Sequence, residues 1–373
     1  MFNLRTITLL STISVATSYA CLWDSETIYV ERIGFPDDIQ LILGAVSVRS
    51  DTFHHWRKAY SLHRIADSTK VSPADYDNLA VSLDKLHRDD SAIAVMKSKR
   101  LRYGPAYETM ANMGTFFFHS GNFSEGLPYI DSALQINPEA HFGRERYQKW
   151  LVEYILGLPS RTSPLAPAKS KKDIGRIKGE HGYAAFVAKQ EGMGKLSDSA
   201  REKAIRGILG MMRFGNGNHP ILLEAYADLA LGREDPFGRG LASKAYMIAA
   251  FRSLPENGER IRKVRDNEPI DSTAHLGFLR LAKLAAGSSH KFENHMSDYW
   301  NYDTRMHFRA EQRKDRSEPY FGKKLRELQS GQQPDSLDLY KGHVNQIDIG
   351  EFERDETPPA WRKRRWKEYG NRN

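Results

Sequence analysis

The sequence predicts an all-α protein built of paired helices, and three observations carry that prediction. Residues 107–140 contain two runs of apolar residues at three- and four-residue steps, separated by the turn residues Ser120-Gly121-Asn122. The same pattern occurs 34 residues earlier, from Pro73. It occurs again from Pro220, with a turn about three residues longer.

Composition places few limits on function. The chain has 373 residues, of which 40% are hydrophobic and 27% charged, as expected of a soluble protein with two or three units or one extended solenoid. The net charge of +8 favours an acidic partner or an anionic surface, although the charge is spread along most of the chain. After the first twenty residues, no run approaches the roughly 18 apolar residues that a membrane helix needs.

Residues 1–20 predict an export signal, because Arg5 precedes the apolar run Ile7–Ala16 and small residues stand before the expected cut. The only cysteine, Cys21, directly follows that cut and cannot form an internal disulfide. Lipidation of Cys21 would account for it, although Ser18 stands where bacterial lipoproteins usually have Leu. We expect an exported protein, periplasmic or secreted, with a membrane-anchored lipoprotein as the alternative.

Breaks in the helical pattern divide the chain into segments. Ser72-Pro73 is typical of a helix start, and three prolines within residues 159–167 exclude a helix there. The predicted order is an export signal (1–20), N-terminal helices (21–72), paired-helix repeats (73–157), a Pro/Lys-rich linker (158–172), a second helical domain with a divergent repeat (173–316) and a basic, partly irregular C-terminal tail (317–373).

The repeat resembles the tetratricopeptide repeat family in its order of bulky and small residues and a final proline. Matching residues include Gly114, Phe117, Gly126, Ile130, Ala133 and Pro138. The small residues predict a close approach of the two helices. The resemblance implies helical-hairpin repeats that form a short solenoid, whose first helices line a concave face that binds a protein or peptide.

Carried over position by position, the resemblance assigns nine residues to that concave face. They are Asn78, Val81 and Lys85 in the first unit, Asn112, Thr115, Phe118 and His119 in the second, and Arg146 and Lys149 in an incomplete third. Because Phe117 takes a core position, Phe118 is expected to point elsewhere, either into the groove as an aromatic anchor or against neighbouring helices.

Some tetratricopeptide domains bind a peptide C-terminal carboxylate with a clamp of five residues. Asn112 and Arg146 match two of those positions in this chain. Asp77, Val81 and Phe142 occupy the other three, and an aspartate would repel a carboxylate. The resemblance therefore indicates a binding face without this particular clamp.

No catalytic signature is present in the sequence. It contains no HExxH, nucleophile elbow, P-loop or dinucleotide-binding glycine motif. One cysteine excludes thiolate metal sites, and the thirteen histidines lack metal-ligand spacing, so no cofactor or metal is expected. We expect a non-catalytic scaffold. A helical hydrolase or transferase, with a carboxylate and histidine site between the two helical halves, is the alternative.

The C-terminal tail carries five cations and two tryptophans in seven residues. They are Trp361, Arg362, Lys363, Arg364, Arg365, Trp366 and Lys367. This composition suits an anionic membrane surface, and it also suits nucleic acid or a solvated terminus. Export makes nucleic acid the least favoured of the three. A further hypothesis is that the tail carries the binding function and that the helices serve only as a spacer.

Overall fold

The described part of this computed structural model is helical throughout. The structure describes residues 22–33, 38–42, 49–67, 69, 71–157, 180–215, 219–233, 236–253, 273–287 and 319–332. Within these ranges every regular element is a helix and none is a strand. The predicted all-α class is therefore confirmed.

Three helices precede the predicted repeats: α1 (Ser25–Ile33), α2 (Asp38–Ile42) and α3 (Asp51–Ala66). Ser50 caps α3, because its Oγ accepts a hydrogen bond from the Phe53 backbone N–H at 3.3 Å. Trp56 and Tyr60 lie on the buried side of the same helix.

The predicted repeat region forms four helices: α4 (Pro73–Lys85), α5 (Asp89–Tyr103), α6 (Tyr107–His119) and α7 (Phe123–Ile136). Each packs against the next along the chain. Ser72 begins α4 as predicted, and its backbone N–H and hydroxyl both donate to Asp75 Oδ2, at 2.7 and 2.8 Å. Helices α4 and α6 start 34 residues apart, which is the period read from the sequence.

Helices α6 and α7 approach closely at Gly114 and Gly126. A Cβ built on Gly126 would lie 2.8 Å from the Gly114 carbonyl oxygen, and one on Gly114 would lie 2.5 Å from Ile130 Cδ1. Neither distance leaves room for a methyl group. Ile130 and Ala133 are fully buried beside this contact. The close approach predicted from the small residues is confirmed.

The next part of the described chain adds six helices after a 3-10 turn at Ala140–Gly143. They are α8 (Arg144–Leu156), α9 (Gly182–Gln190), α10 (Asp198–Phe214), α11 (Pro220–Leu231), α12 (Pro236–Arg252) and α13 (Thr273–Ala286). One buried apolar cluster runs from Ile130 of α7 through Leu151 of α8 to Phe278 of α13. Residues on both sides of the predicted linker therefore share one hydrophobic core.

A further helix, α14 (319–329), lies at the start of the predicted C-terminal tail. Phe321 of this helix is fully buried, with ring centroids 4.8 Å from Phe53 and 5.3 Å from Trp56 of α3. Helix α14 therefore packs on α3, a contact that the sequence pattern does not indicate.

Candidate functional site

The residues predicted to line a concave face in the first two units lie on α4 and α6, and other residues of the same chain cover most of them. Asn78 and Val81 of α4, and Asn112, Thr115 and Phe118 of α6, are each no more than 2% exposed. Side chains that we expect to be free to contact a partner are therefore already in contact with protein. Asn78, Val81, Asn112, Thr115 and Phe118 are buried and do not form an open surface.

Residues 22–33, a short irregular stretch followed by α1, cover the part of this face that holds Asn78 and Asn112. The Trp23 backbone N–H donates to Asn112 Oδ1 at 2.8 Å, and Asn112 Nδ2 donates to the Trp23 carbonyl at 2.9 Å. In the preceding helix pair, Asn78 Oδ1 accepts from the Ser25 N–H at 3.0 Å, and its Nδ2 donates to Ser25 Oγ at 3.1 Å. Equivalent asparagines of successive pairs thus bind residues two apart in the segment.

Apolar contacts add to these hydrogen bonds. Leu22 is 1% exposed and belongs to the same buried cluster as Val81 of α4. The Trp23 ring lies edge-on to Tyr107 and His141, with centroid distances of 5.3 and 4.4 Å. The face therefore holds both the backbone and the apolar side chains of the segment.

The acidic side chains of the segment meet cations. Arg57 Nη1 donates to the buried Asp24 carboxylate at 2.6 Å. Glu31 lies 2.7 Å from His141 Nδ1 and forms an ion pair with Arg144. Burial acts to raise the pKa of Glu31, but the hydrogen bond from His141 and the Arg144 charge outweigh it, so this pKa lies below its ordinary value. The acidic side chains of this segment are therefore paired with basic residues of α3, the 3-10 turn and α8.

Asp77 orients the asparagine that binds Trp23. Asn112 Nδ2 also donates to Asp77 Oδ1 at 3.1 Å, and Lys99 Nζ donates to both Asp77 oxygens at 2.7 and 2.6 Å. Burial raises the pKa of Asp77 to about 6, against the lowering influence of Lys99. The Asp77 carboxylate, at one of the predicted clamp positions, therefore binds Lys99 and Asn112 within the protein and holds the Asn112 amide in place.

Phe117 and Phe118 are both buried, but in different apolar clusters. Phe117 stacks on Tyr129 with a centroid distance of 5.4 Å, as expected of a core residue. Phe118 is 0% exposed and packs against Phe123 and the backbone of Gly126. The prediction that Phe118 is a groove anchor is wrong, and its alternative, burial against neighbouring helices, is confirmed.

The remaining predicted residues of α4 and α6 make contacts within the protein. Lys85 Nζ donates to the Phe214 carbonyl and, at 3.3 Å, to the Gly215 carbonyl. His119 Nδ1 contacts Asp84. Thr115 Oγ1 accepts a hydrogen bond from Gln148 Nε2 of α8 at 3.2 Å. These residues join α4 and α6 to neighbouring helices instead of lining an open surface.

Arg146 and Lys149 of α8 are the predicted face residues that keep substantial exposure. Arg146 Nη2 lies 3.3 Å from Glu139 Oε1, and Lys149 Nζ donates to Asp131 Oδ1 at 2.5 Å. The described contacts of both are surface ion pairs, and the structure does not bring them to residues 22–33. Such pairs at the surface contribute little to stability.

A histidine and carboxylate cluster lies in the second half of the chain. His181 Nε2 lies 3.2 Å from Asp228 Oδ1 and 3.0 Å from the Tyr246 hydroxyl. Asp228 also accepts hydrogen bonds from the Tyr183 N–H at 2.8 Å and from the Tyr246 hydroxyl. Burial raises the pKa of Asp228 and raises that of the nearby Glu224 well above its ordinary value. Asp228 thus anchors the start of α9 through several donors.

The sequence analysis did not identify Trp23, Asp24 or Arg57, which form several of the contacts at this site. The available signal was the recurrence of asparagine at Asn78 and Asn112, one repeat period apart. An amide side chain can bind both a donor and an acceptor of a peptide group. That signal indicates a main-chain ligand without revealing that the ligand is part of the same chain.

Several predictions fall outside the described residues. These include the export signal, possible lipidation of Cys21, the linker (158–172) and surface contact by residues 361–367. Among the residues that the structure describes, no group of three or more His, Cys, Asp or Glu side chains is placed to hold a metal ion. No helix in those same ranges is long and apolar enough to cross a membrane.

The chain matches no protein-family model, no curated protein and no solved structure. The tetratricopeptide resemblance therefore rests on the repeat pattern alone.

Proposed function

We propose that the protein is an exported, non-catalytic scaffold of tetratricopeptide-like repeats whose α4 and α6 face binds an acidic peptide segment of a partner protein. The observation that carries the proposal is the double hydrogen bond of Asn112 to the Trp23 peptide group. This contact involves only main-chain atoms of the bound segment, so peptides with many different side chains could form it. A face that holds one peptide in this way can exchange it for another.

The charges of the face indicate the chemistry of the partner. Asp24 pairs with Arg57, and Glu31 pairs with Arg144 and His141. A partner peptide that carries an aromatic residue followed by an acidic one, as Trp23-Asp24 does, would use the same contacts. The net charge of +8 on the whole chain favours the approach of such a peptide.

Residues 22–33 act in this proposal as an intramolecular competitor. A tethered segment has an effective concentration on the order of millimolar. An external peptide therefore binds the small fraction of molecules in which the segment has left, and its apparent affinity is reduced by that fraction. Weakening the segment should strengthen binding of the partner.

A labelled peptide of residues 22–33 tests this exchange. The full chain carrying Trp23→Ala and Asp24→Ala should bind the peptide about tenfold or more tightly than the wild type does. Fluorescence anisotropy of the labelled peptide measures both affinities. Adding Asn112→Ala should abolish the gain. Asn122→Ala, at the exposed turn after α6, is the matched control and should leave it intact. Equal binding with and without Asn112 would remove this face from the proposal.

Export is tested separately by mass spectrometry of the mature N-terminus. Cleavage before Cys21 would place the groove-bound segment directly after the new N-terminus. Lipid on Cys21 would then hold the occupied face at a membrane surface. An intact N-terminus in the mature protein would contradict the predicted signal.

A helical hydrolase or transferase is the second candidate, and the His181–Asp228 pair is the observation that favours it. The His181 side chain is 19% exposed, so its ring can be reached from solvent while Asp228 orients it. The pair lies within α9, α11 and their neighbours rather than between the predicted halves. A chromogenic panel of ester, phosphoester and glycoside substrates tests this candidate. Turnover lost in His181→Ala would support an enzyme, and no turnover by the wild type would argue against it.

A further inference from the structure

Most of the large apolar side chains that the described residues expose lie near the ends of three helices. Leu62 lies near the end of α3, Leu101 and Tyr103 near the end of α5, and Ile136 at the end of α7. Met193, in the turn after α9, is the exception within those ranges. Leu101 is 90% exposed, and the proposed peptide-binding face does not use it.

The position of Leu101 on α5 explains its exposure. Ala92, Met96 and Lys99 recur at helical steps and are buried. Leu101 follows Lys99 by two residues, about 200° around the helix, so it points away from that buried side. It lies next to Lys97, which is one helical turn earlier on the same outward side.

The ends of α3, α5 and α7 lie at one edge of the helical stack. The turns 86–88, 104–106 and 120–122 are short, so the packed helices that they join run antiparallel. Every second helix therefore ends on the same side. Tyr107 at the start of α6 and Ala133 near the end of α7 share one buried cluster, as this arrangement requires.

Contacts between helix starts and helix ends support the same arrangement for α3 to α5. Arg64 near the end of α3 lies 3.5 Å from Asp75 in the first turn of α4. The Tyr76 ring, also in α4, lies 5.8 Å from the Tyr103 ring at the end of α5. The exposed apolar side chains therefore lie along one edge.

Three exposed cations surround Leu101, namely Lys97, Arg100 and Arg102. Residues 91–107 contain no aspartate or glutamate. None of the three cations forms an ion pair with another residue that the structure describes, and the Arg102 guanidinium lies over the neighbouring Tyr103 ring at 5.6 Å. The end of α5 thus combines an exposed apolar side chain with positive charge.

Carboxylates at the same edge do not cancel this charge. Asp75, Asp77 and Glu139 pair with other cations, which are Arg64, Lys99 and Arg146 respectively. Asp67 at the end of α3 and Glu108 at the start of α6 are the further carboxylates of these helix ends. Even with both counted, the three cations leave a net positive charge beside Leu101.

We propose that this edge, with Leu101 at its centre, docks on the surface of an anionic phospholipid membrane. Leucine can enter the boundary between headgroups and acyl chains, and a tyrosine such as Tyr103 suits the same depth. Each Lys or Arg close to acidic lipid strengthens binding about fivefold. The apolar and cationic side chains therefore act together on one kind of partner.

The spacing of the apolar side chains favours a broad surface over a peptide. Leu62, Leu101 and Ile136 lie on alternate helices, so neighbouring members are roughly 10–20 Å apart across an intervening helix. A protein interface needs a contiguous packed centre, whereas a membrane can receive each side chain separately.

Co-sedimentation of the full chain with vesicles tests the proposal. We expect binding to vesicles of phosphatidylglycerol and phosphatidylcholine in equal parts, weaker binding as salt is added, and none to phosphatidylcholine alone. Leu101→Ser should weaken binding about tenfold, and Arg100→Glu about fivefold or more. Both positions are exposed, so the variants should fold, which circular dichroism checks.

Matched controls make the same changes elsewhere. Met193→Ser removes an exposed apolar side chain, and Lys203→Glu reverses an exposed cation of α10. Both should bind vesicles as the wild type does. Retained binding in Leu101→Ser and Arg100→Glu would place the contact elsewhere, for example in residues 361–367, and would overturn the proposal. Self-association that Leu101→Ser abolishes, without vesicle binding, would assign the edge to a second copy of the chain and overturn it as well.

Discussion

Asn112 holds the peptide group of Trp23 with both ends of its amide, at 2.8 and 2.9 Å, although the two residues are 89 positions apart. The contact does not depend on the indole ring. It ties the N-terminal segment to α6 through main-chain atoms, in the position where we predict a partner peptide.

Replacement of Asn112 by alanine tests the strength of this tie. The change removes both contacts with Trp23 and leaves the buried groups of that peptide unpaired. We expect the free energy of unfolding to fall by about 1–3 kcal/mol, and hydrogen exchange in residues 22–33 to accelerate. Hydrogen exchange in α11, which neither contains Asn112 nor takes part in its described hydrogen bonds, should not change. Unchanged protection of residues 22–33 would show that other contacts hold the segment.

Gly126→Ala should disrupt the contact of α6 and α7. The new methyl group would meet the Gly114 carbonyl at 2.8 Å and the Phe118 ring at 2.5 Å, and both are buried. We expect a loss of about 1–3 kcal/mol in urea unfolding. Gly240→Ala in α12 has nothing within 4 Å of its added Cβ, so this control should be neutral or slightly stabilising. Similar losses in both variants would contradict the close approach.

Glu31→Gln should destabilise the protein in a pH-dependent way. The pKa of Glu31 is lowered in the folded state, so its ionised form contributes stability that is present above the unfolded value and lost as pH falls through the folded value. The variant should have a lower Tm than the wild type at pH 7, and the difference should shrink below pH 4.5. Glu139→Gln, with a side chain 78% exposed, should show no such difference.

Glu224→Gln should raise the Tm at high pH, whereas Glu31→Gln should lower it. Burial, followed by the charge of Asp228, raises the pKa of Glu224 well above 4.5, and its Oε2 is buried without a hydrogen-bond partner. The stability from its neutral form is present below the unfolded pKa and lost as pH rises through the folded pKa. The amide variant should therefore exceed the wild type in Tm at pH 8 and match it at pH 4. A lower Tm at pH 8 would show that the ionised carboxylate is the native form, and exposed Glu125→Gln serves as the control.

Much of the fold could be predicted because its signals are local. The apolar steps in residues 107–140 and the Ser72-Pro73 start act within single helices, and the small residues Gly114 and Gly126 act between two helices joined by a short turn. The structure has helices at the corresponding positions. Phe118 shows the limit of this reasoning, because its surroundings come from Phe123 and from helices further along the chain.

The sequence by itself determined the all-α class, the 34-residue spacing of α4 and α6, and the asparagines repeated at that spacing. Only the tertiary structure decided what those asparagines bind. The Trp23 contact with Asn112 and the Phe321 contact with Phe53 join distant parts of the chain. Helical periodicity reports which face of a helix is buried and says nothing about which remote segment buries it. That choice depends on how all the faces pack together, and here it places Trp23 and Ser25 of the same chain against Asn112 and Asn78.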